Sequence, residues 1–337
     1  MQAFRLTERG AALSEIDPPV PRDGEVLVKV TAAGVCRSDL HVVANPPPRY
    51  PVPFTLGHEI AGTVAATGPS ATGVDIGQPV VVYGPWGCGR CRRCAAGQDN
   101  YCDRRDELTW AGAGLGRDGG MAEHVLVPSA RHLVHTGDLD PAQVAPLADA
   151  GLTPYHAVSH CAGRLGEGST ALVIGVGGLG HVAVRLLLAL TEARVYAVDV
   201  RESALELAEG AETLLVRADT ATVLRSAAGG VDAVFDFVGS DATLDLAAAV
   251  LRPAGDLVIV GSGGGRLAIT KPGPLPQGAH VWSPFWGTRD DLAEVVRLAG
   301  AGRLPVAVER FPLSAASEVF TRLRTGGIRG RAVLVPD

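Results

Sequence analysis

Cys36 and His58 supply a thiolate and an imidazole, the two ligand types zinc prefers, inside a stretch crowded with other reactive groups. Arg37, Ser38, Asp39 and His41 follow the cysteine, and Glu59 follows the histidine. Gly34 and Gly57 stand just ahead of them, which predicts backbone turns at both places rather than helix interior. A single cysteine or histidine is more often packed core than ligand, so the density of chemistry nearby is the sharper signal. A second set is more specific. Cys88, Cys91, Cys94 and Cys102 are spaced C-x2-C-x2-C-x7-C. Four thiolates at that spacing close a tetrahedral zinc site and leave no position for a substrate. Gly87, Gly89, Arg90, Arg92 and Arg93 around them would not bury four free thiols. A nucleic-acid-binding zinc knuckle would need a broad basic and aromatic patch, which a chain of net charge -6 does not provide.

A third set is a dinucleotide fingerprint. The apolar run from Ser169 leads into Gly175-Val-Gly177-Gly178-Leu179-Gly180, a G-x-G-x-x-G motif. An apolar helix, Val182 to Leu190, is predicted to follow, and then a strand, Arg194 to Asp199, that ends in an acid. That context turns a weak motif into a strong one. Gly175 allows the tight turn, Gly177 lets backbone approach a pyrophosphate, Gly180 permits close helix packing, and the helix N-terminus offers N–H groups to phosphate. Asp199 would accept hydrogen bonds from a ribose and repel a 2′-phosphate, so NAD is expected over NADP. Arg201 would soften that repulsion, but a solvated surface position is expected for it.

These groups need two scaffolds. A chain of 337 residues is long for one core, and 47% hydrophobic with 20% charged residues excludes disorder. No apolar run approaches the ~20 residues of a membrane span. The N-terminus reads as a first strand rather than a targeting signal. A cytoplasmic protein with thiols kept free or on metal is expected. Val26, Val28 and Val30 alternate with Leu27, Lys29 and Thr31, predicting a strand that leads to Cys36. Ile60–Val64 and Pro79–Tyr83 read as further short strands, and the first 150 residues as a mostly β unit. Leu147-Ala-Asp149-Ala-Gly151-Leu-Thr-Pro-Tyr-His156 marks the switch between domains. Beyond it the alternation of apolar strands and helices, through Val231–Gly239, a helix at Asp241–Leu251 and a strand at Gly255–Gly261, predicts a doubly wound α/β domain over 151–285. An amphipathic helix around Leu292–Leu298 and a terminal strand, Ala332–Val335, complete the chain. Cys161 reads as a buried spare thiol.

The chain resembles the zinc-dependent medium-chain alcohol dehydrogenases, in particular the bacterial NAD-dependent secondary alcohol dehydrogenases with a Cys/His/Asp zinc site. Tyr83-Gly-Pro-Trp-Gly-Cys88, Ala130-Arg-His-Leu-Val134, Val173-Ile-Gly-Val-Gly-Gly-Leu-Gly-His181 and Phe235-Asp-Phe-Val-Gly239 carry the likeness, with the metal and glycine motifs above. It implies a GroES-like β-rich catalytic domain over 1–150 and 286–337, with a structural-zinc lobe, and a Rossmann domain over 151–285. It also implies Asp149 as third ligand of the catalytic zinc, with a helix N-cap as the lesser alternative. Cys36 thiolate, neutral His58 and Asp149 carboxylate would together balance Zn2+. By the same resemblance Ser38 takes the alcohol proton, Arg37 pairs with the pyrophosphate, Asp39 orients His58, and Val238 touches the cofactor. Glu59 is expected at or near the metal, with a purely structural acid as the alternative. His41 either ends a proton relay or lines the pocket, and it departs from the aromatic residue common there. The short turn Leu207–Ala211 is a second departure.

The resemblance implies hydride transfer between a secondary alcohol, or ketone or aldehyde, and NAD, with two zinc ions per chain and a homodimer or homotetramer. Tyr50, Phe54, Trp110 and Leu115 lie near the metal residues in sequence, and Phe285 and Trp286 line the pocket in the resembled subgroup. These six form the expected substrate wall, at least one of them plain core, with no Lys or Arg among them. A primary-alcohol or polyol dehydrogenase is the alternative. A zinc-free quinone or enoyl reductase would leave both metal sets unexplained, and a non-catalytic NAD-binding protein would leave Ser38 and the three-ligand site idle. Neither nucleic acid nor membrane is an expected partner.

Overall fold

The computed structural model describes residues 1–337. The chain folds into two compact units, Met1–Leu152 with Thr288–Gly302 and Val306–Asp337, and Thr153–Gly287 with Arg303–Pro305. No helix is long and apolar enough to cross a membrane.

In the first unit the strand Val26–Val35 is central. Val26, Val28 and Val30 are buried and Lys29 is exposed, as a period-two strand requires. It pairs antiparallel with Glu59–Thr67 on one side and with the terminal strand Arg331–Val335 on the other. Pro79–Val82 and Leu133–His135 extend the sheet beyond Glu59–Thr67, and Val308–Pro312 lies parallel to the terminal strand. Register does the positioning. Gly34 sits opposite Glu59 and Val35 opposite Ala332. Cys36 follows one strand, His58 precedes the second and Arg331 opens the third, so all three emerge at the same end of the sheet. Gly34 is required there, because a Cβ on it would stand 1.8 Å from Glu59 Oε2. A helix, Arg37–Ala44, begins directly after Cys36, and Asp39 accepts the Cys36 N–H at 2.8 Å to cap it.

The second unit is a six-stranded parallel sheet. Its order is Glu212–Leu215, Arg194–Asp199, Thr170–Ile174, Val231–Asp236, Leu251–Ile259, His280–Trp282. In chain order this is 3-2-1-4-5-6, the doubly wound arrangement whose ligand crevice lies where the order reverses. Every residue of Thr170–Ile174 is buried, as expected of a strand covered on both faces. One boundary differs from the sequence reading. The helix Asp241–Val250 passes directly into the strand at Leu251, four residues earlier than expected, around a break in pairing between Val231 and Ala233. Pro253 and the positive φ of Ala254 lie in that irregular part. Turn residues there masked the start of the strand.

Candidate metal and dinucleotide sites

The sulfur atoms of Cys88, Cys91, Cys94 and Cys102 lie within 4.8 Å of one another, with Cys91 and Cys102 3.9 Å apart. Sulfurs at 2.3 Å from a shared zinc would be separated by about 3.8 Å, so the cage has the dimensions a tetrahedral ion needs. Backbone N–H groups donate to two of the sulfurs, Cys94 N–H to Cys91 and Cys88 N–H to Cys102, while burial pushes the Cys94 and Cys102 thiols up. The Cys94 N–H is the main cause that pulls the Cys91 thiol down to about 6. Cys94 and Cys102 are buried while Cys88 and Cys91 are partly exposed. The expectation that the flanking residues would cover none of the four therefore holds only for the latter two. Asp99 and Arg105, which the sequence reading passed over, fasten this lobe. Arg131 forks onto Asp99 at 2.8 and 3.0 Å, and Arg105 donates to the carbonyls of Trp86, Asp99 and Ala111.

His132 sits behind the lobe, 3% exposed, stacked on Tyr83 and tilted against Trp86. Burial, reinforced by the Arg131 charge, pushes its pKa down to about 3. An unfolded histidine titrates near 6.5, so between those values the unfolded chain binds a proton that the folded chain refuses. The stability that His132 contributes is whole above about pH 6.5 and drains as pH falls towards 3. At pH 4.5 the loss is about 2–3 kcal/mol. His132→Phe is expected to lose less melting temperature than wild type between pH 7 and 4.5; parallel curves would show that His132 does not drive acid lability.

At the end of the central strand, Cys36 Sγ lies 3.4 Å and His58 Nε2 3.5 Å from Asp149 Oδ2. All three side chains are buried, and their ligand atoms lie within 4.8 Å of one another. Tetrahedral zinc at ordinary bond lengths gives S–O and N–O edges of about 3.5 and 3.4 Å, so this donor set fits the ion as it stands. The helix after Asp149 begins at Leu152, so Asp149 does not occupy its capping position. Asp39 Oδ1 meets His58 Nδ1 at 3.1 Å, which directs Nε2 to the cluster. Burial lowers the His58 pKa, but the Asp39 charge and hydrogen bonds to Asp149, Asp39 and Cys36 outweigh it and raise the pKa well above the usual value. The cavity thus favours positive charge between these groups, as a cation site should. Ser38 Oγ lies 3.5 Å from Cys36 Sγ, and His41 is exposed three residues on, on the same helix. Arg37 is exposed.

Glu59, expected as a further metal carboxylate, stands outside the cluster. Arg331 takes both of its oxygens, Nε to Oε2 at 2.9 Å and Nη2 to Oε1, and Ala150 N–H adds a bond at 3.2 Å. The alternative reading of a structural acid describes this placement. Arg331 itself was missed; its one signal was a charged residue opening an otherwise apolar strand.

The expected wall is also revised. Phe54 is 2% exposed and pairs with the strand Gln2–Thr7, so it is core, with the Tyr50 ring edge-on to it at 6.1 Å. Tyr50 and Trp110 both crowd Gly116, and Gly114 packs on Gly57 beside His58, which draws the loop carrying Leu115 towards the cluster. Arg117 stacks on Trp110 at 4.2 Å and Arg49 lies over Tyr50 at 5.8 Å. The aromatic set therefore carries guanidinium groups that the expectation left out, because such stacking depends on loop conformation. Phe285 is 41% exposed and Trp286 is buried beside it, their rings 5.4 Å apart.

In the second unit Gly175 has φ +86, a conformation only glycine adopts freely, and a Cβ there would strike Val238. Gly177 faces open space, the clearance a pyrophosphate needs, while a Cβ on Gly180 would lie 1.9 Å from Gly175 O. Leu179 stands at the cap of the helix Gly180–Leu190, next to Gly178. Asp199 ends its strand almost buried; Oδ2 accepts from Val176 N at 2.8 Å and Oδ1 from Arg201 N at 2.9 Å. Arg201 Nε also reaches Oδ1 at 3.4 Å, so this side chain is paired with the acid rather than simply solvated. Oδ2, with one donor on it, keeps a second lone pair for a ribose hydroxyl.

Comparison with known proteins shows the family. Residues 22–138 match the alcohol dehydrogenase GroES-like domain, and residues 178–301 match the zinc-binding dehydrogenase family. An NAD-dependent alcohol dehydrogenase of Saccharolobus solfataricus is 35% identical, with all of both chains covered. Among solved structures, the alcohol dehydrogenase of Aeropyrum pernix superposes with a TM-score of 0.92 at 35% identity over the whole of both chains. Acetophenone reductase from Geotrichum candidum, solved with NAD, gives a TM-score of 0.88 at 34% identity, covering 99% of this chain and 96% of its own.

Proposed function

The chain belongs to the zinc-dependent medium-chain alcohol dehydrogenase family, and from that premise we propose that it interconverts secondary alcohols bearing an apolar or aryl arm with their ketones. It is an NAD-dependent oxidoreductase of alcohols and ketones with zinc as its metal. The observation that carries the proposal is the contrast between two donor sets in one unit. Four thiolates close one site, whereas Cys36, His58 and Asp149 give only three protein ligands, the number a catalytic zinc keeps. Zinc held there supplies a Lewis acid that polarises the substrate oxygen, and bound NAD accepts or returns the hydride.

The chain's own residues do the rest in this reading. Asp39 fixes the His58 tautomer. The Ser38 hydroxyl takes the alcohol proton as it passes its own on through the ribose, and His41, exposed on the same helix, ends the relay at water. The first unit carries this chemistry, and the second holds the dinucleotide on Gly175–Gly180, with Asp199 and Val238 beside it. Arg37 pairs with the pyrophosphate. Tyr50, Trp110, Leu115, Phe285 and Trp286 face the substrate. A homodimer or homotetramer working in the reducing cytosol, where the zinc thiolates stay reduced, completes the proposal.

A pocket of this kind discriminates by only ~1–3 kcal/mol per methylene, so breadth is expected. Steady-state kcat/KM with NAD should rise from ethanol to 2-butanol to 1-phenylethanol. A maximum at ethanol or at a polyol such as sorbitol would replace the proposal with the primary-alcohol or polyol reading.

A further inference from the structure

Arg331 is 4% exposed, and the residues after it in the terminal strand, Ala332–Val335, are all apolar. Its guanidinium serves two carboxylates from different parts of the chain. Nε and Nη2 fork onto Glu59, and Nη2 also reaches Asp149 Oδ2 at 3.3 Å. That Asp149 oxygen is the one that faces Cys36 Sγ at 3.4 Å and His58 Nε2 at 3.5 Å. It therefore belongs to the metal cluster and to the arginine at once. Glu59 is the residue after His58, and its carboxylate is ion-paired with Arg331.

We propose that Arg331 is a positioning residue of the three-ligand metal centre, holding Asp149 Oδ2 in place to bind while keeping the Glu59 carboxylate out of the coordination sphere. The proposal rests on the reading of Cys36, His58 and Asp149 as ligands. A planar, permanently charged fork suits the task, because it can direct two carboxylates at fixed angles where a lysine offers one point charge. Partners that orient ligands in this way commonly change metal affinity 10–100-fold when removed. Without the guanidinium, Asp149 loses the bond that fixes its rotamer. Glu59 then keeps only the Ala150 N–H, and a cation bound beside His58 would be the charge that draws its carboxylate in.

Two readouts test this without reference to turnover. The first is zinc release to a colorimetric chelator, which in wild type should show two phases, one for each donor set. Arg331→Met should speed one phase at least tenfold and leave the four-cysteine phase unchanged. Arg331→Lys, which keeps charge but not the fork, should fall between. The second readout is the visible spectrum after cobalt replaces zinc in that site. Arg331→Met should weaken the intense bands of four-coordinate cobalt as Glu59 enters. Glu59→Gln/Arg331→Met, which removes both members of the buried pair and so protects folding, should restore those bands while release stays fast. Unchanged release and an unchanged spectrum in a folded Arg331→Met or Arg331→Lys protein would overturn the proposal and leave Arg331 a brace between strands. A wild type with a single release phase would instead remove the three-ligand reading beneath it.

Discussion

Asp149→Ala is expected to lose the catalytic zinc and about 10³-fold of turnover while the fold survives. Lewis-acid stabilisation of a developing charge amounts to several kcal/mol, and ~4 kcal/mol corresponds to that factor. Asp149 supplies the oxygen that meets both Cys36 and His58, so the alanine leaves two ligands where a bound ion needs three. Stability should change little by comparison. Leu147 and Leu152 on either side stay buried, and Arg331 keeps its fork to Glu59. The check is zinc content and kcat on protein whose melting curve matches wild type. Full turnover with two zinc ions retained would place the third ligand elsewhere, Glu59 being the nearest carboxylate.

Cys94→Ser should do the opposite, damaging stability and sparing chemistry. Cys94 is 5% exposed, its sulfur faces the other three thiols, and a closed site of this kind turns metal affinity into folding free energy. A loss of ~3 kcal/mol would lower the melting temperature by about 4 °C in a chain of this length. Arg131 on Asp99 and Arg105 on three carbonyls keep the lobe attached, so global unfolding is not expected. Turnover per folded molecule should be unchanged, since no substrate position exists among four protein ligands. A normal melting curve with lost turnover would reverse the assignment.

What could be seen in the sequence was what is local. The four cysteines fall within one short loop, and the glycine motif lies between a strand and a helix contiguous with it, so spacing alone revealed their chemistry. The strand ending in Asp199 was legible for the same reason. Cys36 and His58 were harder. They meet because Gly34 registers with Glu59 across two strands, and register is a property of the sheet that neither segment carries by itself. Arg331 lay out of reach altogether: it joins Glu59 from 272 positions away, and its strand reads as an ordinary buried one. Arg117 and Arg49 failed differently. They are close in sequence to the aromatics they stack on, but only the loop conformation turns them onto the rings. Arg201 was read as solvated because pairing across two residues depends on the bend after Asp199.

The central claim is that two zinc ions serve separate purposes in one chain, and counting zinc during graded chelation, with NADH-linked reduction of acetophenone followed in the same samples, tests it most directly. About two zinc ions per chain are expected at the start, one for each donor set. Turnover should disappear as the count falls from two to one, while the thermal transition stays in place until the second ion leaves. Full turnover in protein that holds one zinc ion, on the four cysteines, would contradict it.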